Sequence, residues 1–540
     1  MRLLIVGWDG ATWHTLDPLI RLGAMPNLAA LVRRGVRGPQ KSTLPPLTGP
    51  AWTTFMTGKN PGQHGFFDWG ALDSNYILRF CNLGELPDYP FWHYLDQAGW
   101  RVGVFNVPFT YPPQPLSGFW VSGLSTPGLD SSWVYPATFK ERLMGILGGD
   151  YTFDLPITHY GERDHARLVD DLIDLEGRRS RALEALTEEF NPDAVALVYT
   201  GTDRIGHLIS HYADLGTLTS PASADAYQAS FLRYYRWLDE ELGRTIEQLS
   251  PGGHIIMVSD HGFTAQKKVF VVNEWLHQKG YLALDWFGHI QGVVTRWLSR
   301  LGSSAQRSPA QGTFDTRFFL GRTIDWRRTR AFCNALNGIY LNAKGRFSQG
   351  IVEPGADYQA LRARLRDELL ALRDPETGEL ILEEVVVRED AFSGANAHLA
   401  PDLMLRFVGD CYIGDRYFFA PQSNRDRVGR SPFRWPAPWG GGSHHRDGIV
   451  LFNGPAFRAD TEVSDATIED VAPTILHLAG LPVPSGMSGR VLEEAFTADY
   501  RKAHPVAQSD DPAVRPDRQD LSPDEEQLVY ERLRDLGYLD

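Results

Sequence analysis

Cysteine is scarce: 540 residues hold three, Cys81, Cys333 and Cys411. None sits in a CxxC spacing, which argues against a disulfide framework and a thiolate metal site. Small buried apolar side chains in a reducing compartment are expected instead. Long apolar runs are missing too. No stretch approaches the roughly eighteen residues that cross a bilayer. Leu3-Leu4-Ile5-Val6 is too short for the apolar part of a signal peptide, and Asp9 follows at once. A cytoplasmic chain without a membrane span is expected. Positive charge is in deficit, with 53 Lys and Arg against 67 Asp and Glu for a net charge of −14. That disfavours a nucleic-acid-binding surface. It leaves phosphate substrates open, because bound divalent cations can supply the positive charge. Internal repeats and low-complexity tracts are absent as well. What is present is an ordinary globular composition, 43% hydrophobic and 22% charged. The length suits about two to four folding units.

Short apolar runs recur with helical stretches between them. Leu3-Leu4-Ile5-Val6 leads to Gly7-Trp8-Asp9-Gly10 and reads as a buried strand of a parallel sheet. Arg101 to Val107, Asp193 to Thr200 and His254 to Asp260 read the same way. Met25 to Val32, Phe91 to Gly99 and Arg167 to Phe190 read as helices, the first ending near Gly35. The alternation predicts an α/β fold with a mainly parallel central sheet flanked by helices. Ligands gather at the carboxyl ends of such strands. Those ends carry Asp9, Gly201-Thr202-Asp203 and Asp260-His261-Gly262.

The rhythm breaks over residues 271–400. This stretch is expected to be an inserted α+β cap over the site, following the first part of the core at 1–270. The core resumes over 401–496, and 497–540 forms a polar tail and a terminal helix. Within the insertion, Ser303 to Thr313 reads as a polar loop, Gly288 to Arg300 as an amphipathic helix and Tyr358 to Arg373 as a charged helix.

The stretch from Ser42 to Gly65, STLPPLTGPAWTTFMTGKNPGQHG, is central. A hydroxyl at Thr48 precedes Gly49-Pro50 and a run that can form a short buried helix, with Thr48 at or just before the N-cap. The backbone N–H groups and positive dipole end of such a helix attract anions. Three further clusters line up with Thr48 and Asp9. Asp203 and His207 are four residues apart, so a helix would set them on one side. Asp260-His261 sits at a strand end. Gly441-Gly442-Ser443-His444-His445-Arg446-Asp447-Gly448 offers His in a glycine-rich loop. Asp and His at successive strand ends with a loop hydroxyl fit a hydrolytic site of two divalent ions.

These residues carry a resemblance. The chain is similar to the alkaline phosphatase superfamily, in particular to its type I phosphodiesterase/nucleotide pyrophosphatase branch and to bacterial and archaeal predicted phosphohydrolases or phosphomutases. The likeness runs from Met1 to about Phe496 through GWDG, LTGPAWTTFMTGKNPGQHG, TDRIGH, SDHG, GSHHRDG and DVAPTILHLAGLPVP, in that order. It implies that Thr48 is the nucleophile and passes through a phosphothreonine. It implies two divalent ions, zinc or alternatively manganese. Asp9, Thr48, Asp260 and His261 would hold one, and Asp203, His207 and His444 the other, with His445 as the alternative to His444. Gly49 and Asn106 are candidates for binding the substrate phosphate. A small phosphate ester is the expected substrate. The same intermediate would serve a phosphotransferase or mutase, and a non-catalytic metal-binding scaffold is the third reading. Two departures stand out. Phe66-Phe67-Asp68-Trp69 occupies the place where the diesterase branch carries an Asn, and the CxPxR motif of sulfatases is missing.

Overall fold

The computed structural model describes residues 1–149, 151–209, 218, 220–265, 268–285, 324–335, 337–410, 412–415, 433–434, 442–510 and 520–536. The expected Gly288–Arg300 helix and Ser303–Thr313 loop, and Cys411, lie outside them. No helix among the described residues is long and apolar enough to cross a membrane.

A ten-stranded mixed sheet organises the chain. At its centre His254–Val258, Leu3–Trp8, Ala194–Tyr199, Val102–Phe105 and Phe119–Val121 run parallel. The Leu3–Trp8 and Ala194–Tyr199 strands are buried throughout, which is why they read as continuous apolar runs. Helices cover both faces. His165–Phe190 and Ala226–Leu249 bury one apolar side each against one face. Thr48–Thr57, Phe91–Gln97 and Val471–Leu478 pack on the other.

Asp447–Asn453 pairs antiparallel with His254–Val258, and Gly35–Lys41 pairs antiparallel with Asp447–Asn453. This double reversal matters for function. Gly35–Lys41 regains the direction of the parallel strands, so its end leads into Ser42–Leu47 and Thr48 at the carboxyl edge. Asp447–Asn453 runs the other way, so its beginning, preceded by Gly442–His445, reaches that same edge. The Gly35–Lys41 strand is not apparent in the sequence. Its GVRGPQK composition lacks an apolar run, and Gly35, expected to end a helix, instead opens the strand after the Pro26–Arg33 helix.

A second, four-stranded sheet joins Ala331–Ala335, Gly338–Leu341, Leu403–Phe407 and Leu382–Val387, with the Ala356–Leu370 helix among its neighbours. Leu403–Phe407 lies beyond residue 400, so this sheet runs past the boundary read from sequence. It is tied to the core through the second half of the Thr48 motif. Asn60 Nδ2 donates to Ser393 Oγ at 3.0 Å, and Asn396 Nδ2 donates to the Gln63 carbonyl at 2.7 Å. Phe67 meets Phe392 edge-on at 5.1 Å between centroids. Phe66, Phe67, Asp68 and Trp69 are all buried.

Candidate active site

Gly7 decides where the Thr48 helix lies. A Cβ there would sit 2.5 Å from the Trp52 ring, so only glycine lets the Thr48–Thr57 helix settle against the strand end. Trp52 Nε1 then donates to Asp9 Oδ2 at 3.2 Å. Thr48 is the first helical residue, with Leu47 as the N-cap, one position later than a capping role requires. Its hydroxyl lies 3.4 Å from His261 Nε2.

Around Thr48 the predicted residues fall into two groups. In the first, His261 Nε2 lies 3.1 Å from Asp260 Oδ2 and 3.6 Å from Asp9 Oδ1. The left-handed turn at Gly10, φ +70°, aims its N–H at Asp260 Oδ1 at 3.1 Å. In the second, Asp203 Oδ1 lies 3.5 Å from His207 Nε2 and 3.4 Å from His444 Nε2. The two imidazole nitrogens are 3.2 Å apart. The Gly201–Ile209 helix places Asp203 and His207 one turn apart, as their spacing predicts. The groups abut, with the His261 and His444 rings stacked at 3.7 Å. His445 turns aside: its Nδ1 accepts the Asp447 N–H at 3.0 Å and its ring meets His14 edge-on.

Tautomers follow from carbonyl partners, which can only accept. His261 Nδ1–H donates to the Gly262 carbonyl at 3.0 Å, and His444 Nδ1–H donates to the Pro46 carbonyl at 2.8 Å. In both rings the Nε2 lone pair is therefore turned into the cluster, the orientation a metal-ligating His adopts.

The electrostatics call for cations. Asp9, Asp203 and Asp260 are fully buried and close together. Burial and the neighbouring carboxylates push Asp9 well up, and burial with Asp203 raises Asp260. Burial also acts to raise Asp203, but the imidazoles beside its Oδ1 and the Arg204 guanidinium on its Oδ2 outweigh it and hold it well below the usual range. Burial lowers His261 well below its ordinary value and His207 to about 4, so both are neutral at physiological pH. Asp9 Oδ1 and Asp260 Oδ2 are buried and accept no hydrogen bond among the described residues. A buried acceptor of this kind is costly unless a cation faces it.

The model of type I phosphodiesterase / nucleotide pyrophosphatase matches residues 3–417. The chain belongs to that family. Among solved structures, phosphonoacetate hydrolase from Sinorhizobium meliloti 1021, in complex with phosphonoformate, is 16% identical with a TM-score of 0.50, covering 87% of this chain and 93% of that one. Human ectonucleotide pyrophosphatase / phosphodiesterase 5 is 14% identical with a TM-score of 0.48, covering 92% of this chain and 100% of that one. No curated protein matches. The phosphonoacetate hydrolase likeness concerns fold.

Metal dependence goes with this family, and the donor set fits it: two groups of carboxylate and imidazole atoms, Asp9, Asp260 and His261, and Asp203, His261 and His444, each lie within 4.8 Å of one another. Of the two residues expected at the phosphate, Gly49 lies in the first helical turn beside Thr48, where a Cβ would press on the Phe109 ring at 2.7 Å. Asn106 has its amide N–H committed within the sheet. Its amide donates to the Val198 carbonyl at 2.8 Å, tying the end of one strand to its neighbour.

Three residues at the site escaped the sequence reading. Trp52 orients Asp9 and stands one helical turn after Thr48. Phe263 packs edge-on against His207 at 4.8 Å and also against His444, and stands two residues after His261. Arg204 lies inside TDRIGH and donates to Asp203 Oδ2 at 2.7 Å. Their signal was adjacency to the motifs, which does not by itself say which way a side chain turns.

Proposed function

We propose that this chain hydrolyses small phosphate esters through a covalent phosphothreonine on Thr48. Asp9, Thr48, Asp260 and His261 would hold one divalent ion, and Asp203, His207 and His444 the other. Three His and three Asp suit zinc, and manganese accepts the same groups. When bound, the two ions supply the positive charge that acidifies the nucleophile and stabilises the leaving oxygen.

The chain's own residues do the rest. Thr48 Oγ1, its proton released to solvent, attacks phosphorus in line with the leaving oxygen, which departs with the electrons of the broken ester bond. The first-turn N–H of Gly49, at the positive end of a ten-residue helix, donates to a non-bridging oxygen. Water then displaces phosphate from Thr48. The observation that carries this reading is the 3.4 Å approach of Thr48 Oγ1 to His261 Nε2, the imidazole shared by both candidate metal groups.

The test is metal-stripped protein restored with zinc or manganese and assayed on phosphomonoesters and diesters. Hydrolysis should return with metal in wild type. Thr48→Ala should lose turnover by at least about a hundredfold while still binding metal, and Thr48→Ser should keep substantial activity. Hydrolysis that persists in Thr48→Ala contradicts the proposal.

A further inference from the structure

Neighbouring residues on a helix diverge by about 100°, so Asp203 and Arg204 would ordinarily point apart. Here they meet. Arg204 Nη1 donates to Asp203 Oδ2 at 2.7 Å, and Nη2 donates to Asp154 Oδ2 at 2.9 Å. All three side chains have 0% exposure. One carboxylate oxygen of Asp203 is thus engaged from behind, and the other, Oδ1, faces His207 and His444.

Asp154 belongs to a fixed loop. Its Oδ1 accepts the Leu155 N–H at 2.8 Å. Arg179, itself buried, donates to the Tyr151 hydroxyl at 3.2 Å and to the Phe153 carbonyl. On its outer side the Arg532 guanidinium lies 4.8 Å from the Phe153 ring centroid. The loop, the planar guanidinium and the carboxylate form one rigid bridge into the site.

We propose that Arg204, anchored by Asp154, is a positioning residue that selects which oxygen of Asp203 serves the Asp203–His207–His444 group. A guanidinium suits this task because its fork grips two carboxylates at a fixed spacing, whereas a lysine is a single point charge. The inference rests on the proposed metal assignment and adds to it a device that no ligand motif encodes. Partners that orient metal ligands in this way change metal affinity by about 10–100-fold when removed.

The experiment is chelator competition for zinc on the full chain, with thermal unfolding of the metal-free protein alongside. Arg204→Gln and Asp154→Asn should each weaken one of the two bound ions by about 10–100-fold and leave the other unchanged. Arg204→Lys should recover only part of the loss. Because Arg204→Gln leaves Asp154 buried without its cation, it can also destabilise the fold. The double variant Asp154→Asn/Arg204→Gln removes both charges and should regain metal-free stability while zinc affinity stays low. Affinity that recovers together with stability, or never falls in a folded Arg204→Gln, overturns the inference. Asp203→Ala separates the two levels. It should abolish one ion outright, and two ions retained there would refute the metal assignment itself.

Discussion

His64 shows how a single residue in the Thr48 motif can be structural. Its Nδ1 accepts the Phe66 N–H at 3.1 Å, so the proton sits on Nε2 and is donated to Thr54 Oγ1 at 3.0 Å. Burial lowers its pKa to about 3. The neutral ring therefore contributes stability that is fully present above pH 6.5 and is lost as pH falls from there towards 3, at about 1.4 kcal/mol per unit crossed. His64→Gln should flatten this part of a plot of melting temperature against pH, and an unchanged slope would show that His64 is not the group. Among the metal candidates, Asp203→Ala or His207→Ala should lower metal content from about two ions per chain towards one, and Asp260→Ala should do the same for the other group. His444→Ala should lose metal and activity while His445→Ala is milder; elemental analysis that finds the reverse order would exchange the two histidines. At this scale the residue types were legible, because acids and imidazoles at strand ends have few structural uses. Which His turns inward came only from the resemblance, which gave His444 before His445; the residues alone leave it open, since it depends on a strand register and on the Pro46 carbonyl.

Among elements, the predicted parallel strands occur close to where their apolar runs lie, and the Asp203–His207 segment is helical, the condition under which its spacing sets both side chains on one side. Gly35–Lys41 was hidden because its pairing is decided by its neighbours and not by side-chain pattern. The terminal helix expected within 497–540 is found over Pro523–Asp535 and is part of the core packing. Val529, Tyr530, Leu533 and Leu536 are buried, Tyr111 donates its hydroxyl to Glu525 at 2.7 Å, and Thr158 donates to the Asp535 carbonyl at 2.7 Å. The helix thereby holds the residue 151–158 segment in place. Leu533→Ala should cost about 2–5 kcal/mol and expose that segment to limited proteolysis. Cleavage elsewhere first, with residues 151–158 protected, would deny the helix this role.

Across the whole molecule, the site exists because strands of both directions deliver their useful ends to one edge. Thr48, Asp9, Asp203, Asp260 and His444 come from segments up to several hundred residues apart in sequence, and no local window encodes their meeting. The mainly parallel α/β class was legible from alternation alone. The convergence needed the double reversal through Asp447–Asn453, whose apolar run marks a strand but not the direction in which it pairs. Net negative charge and a second sheet docked on the Thr48 motif favour small esters over polyanions. A competition assay should therefore show phosphomonoesters or small activated esters consumed before long nucleic acid or polyphosphate, and the opposite preference would reject this substrate range. A covalent phosphothreonine at Thr48 can be trapped by acid-quenching the enzyme during turnover and mapping phosphate by peptide mass spectrometry. Phosphate is expected on Thr48 in wild type and none in Thr48→Ala. Phosphate on Thr43, Thr53 or Thr54 instead, or steady turnover with no covalent phosphate on any residue, would contradict it.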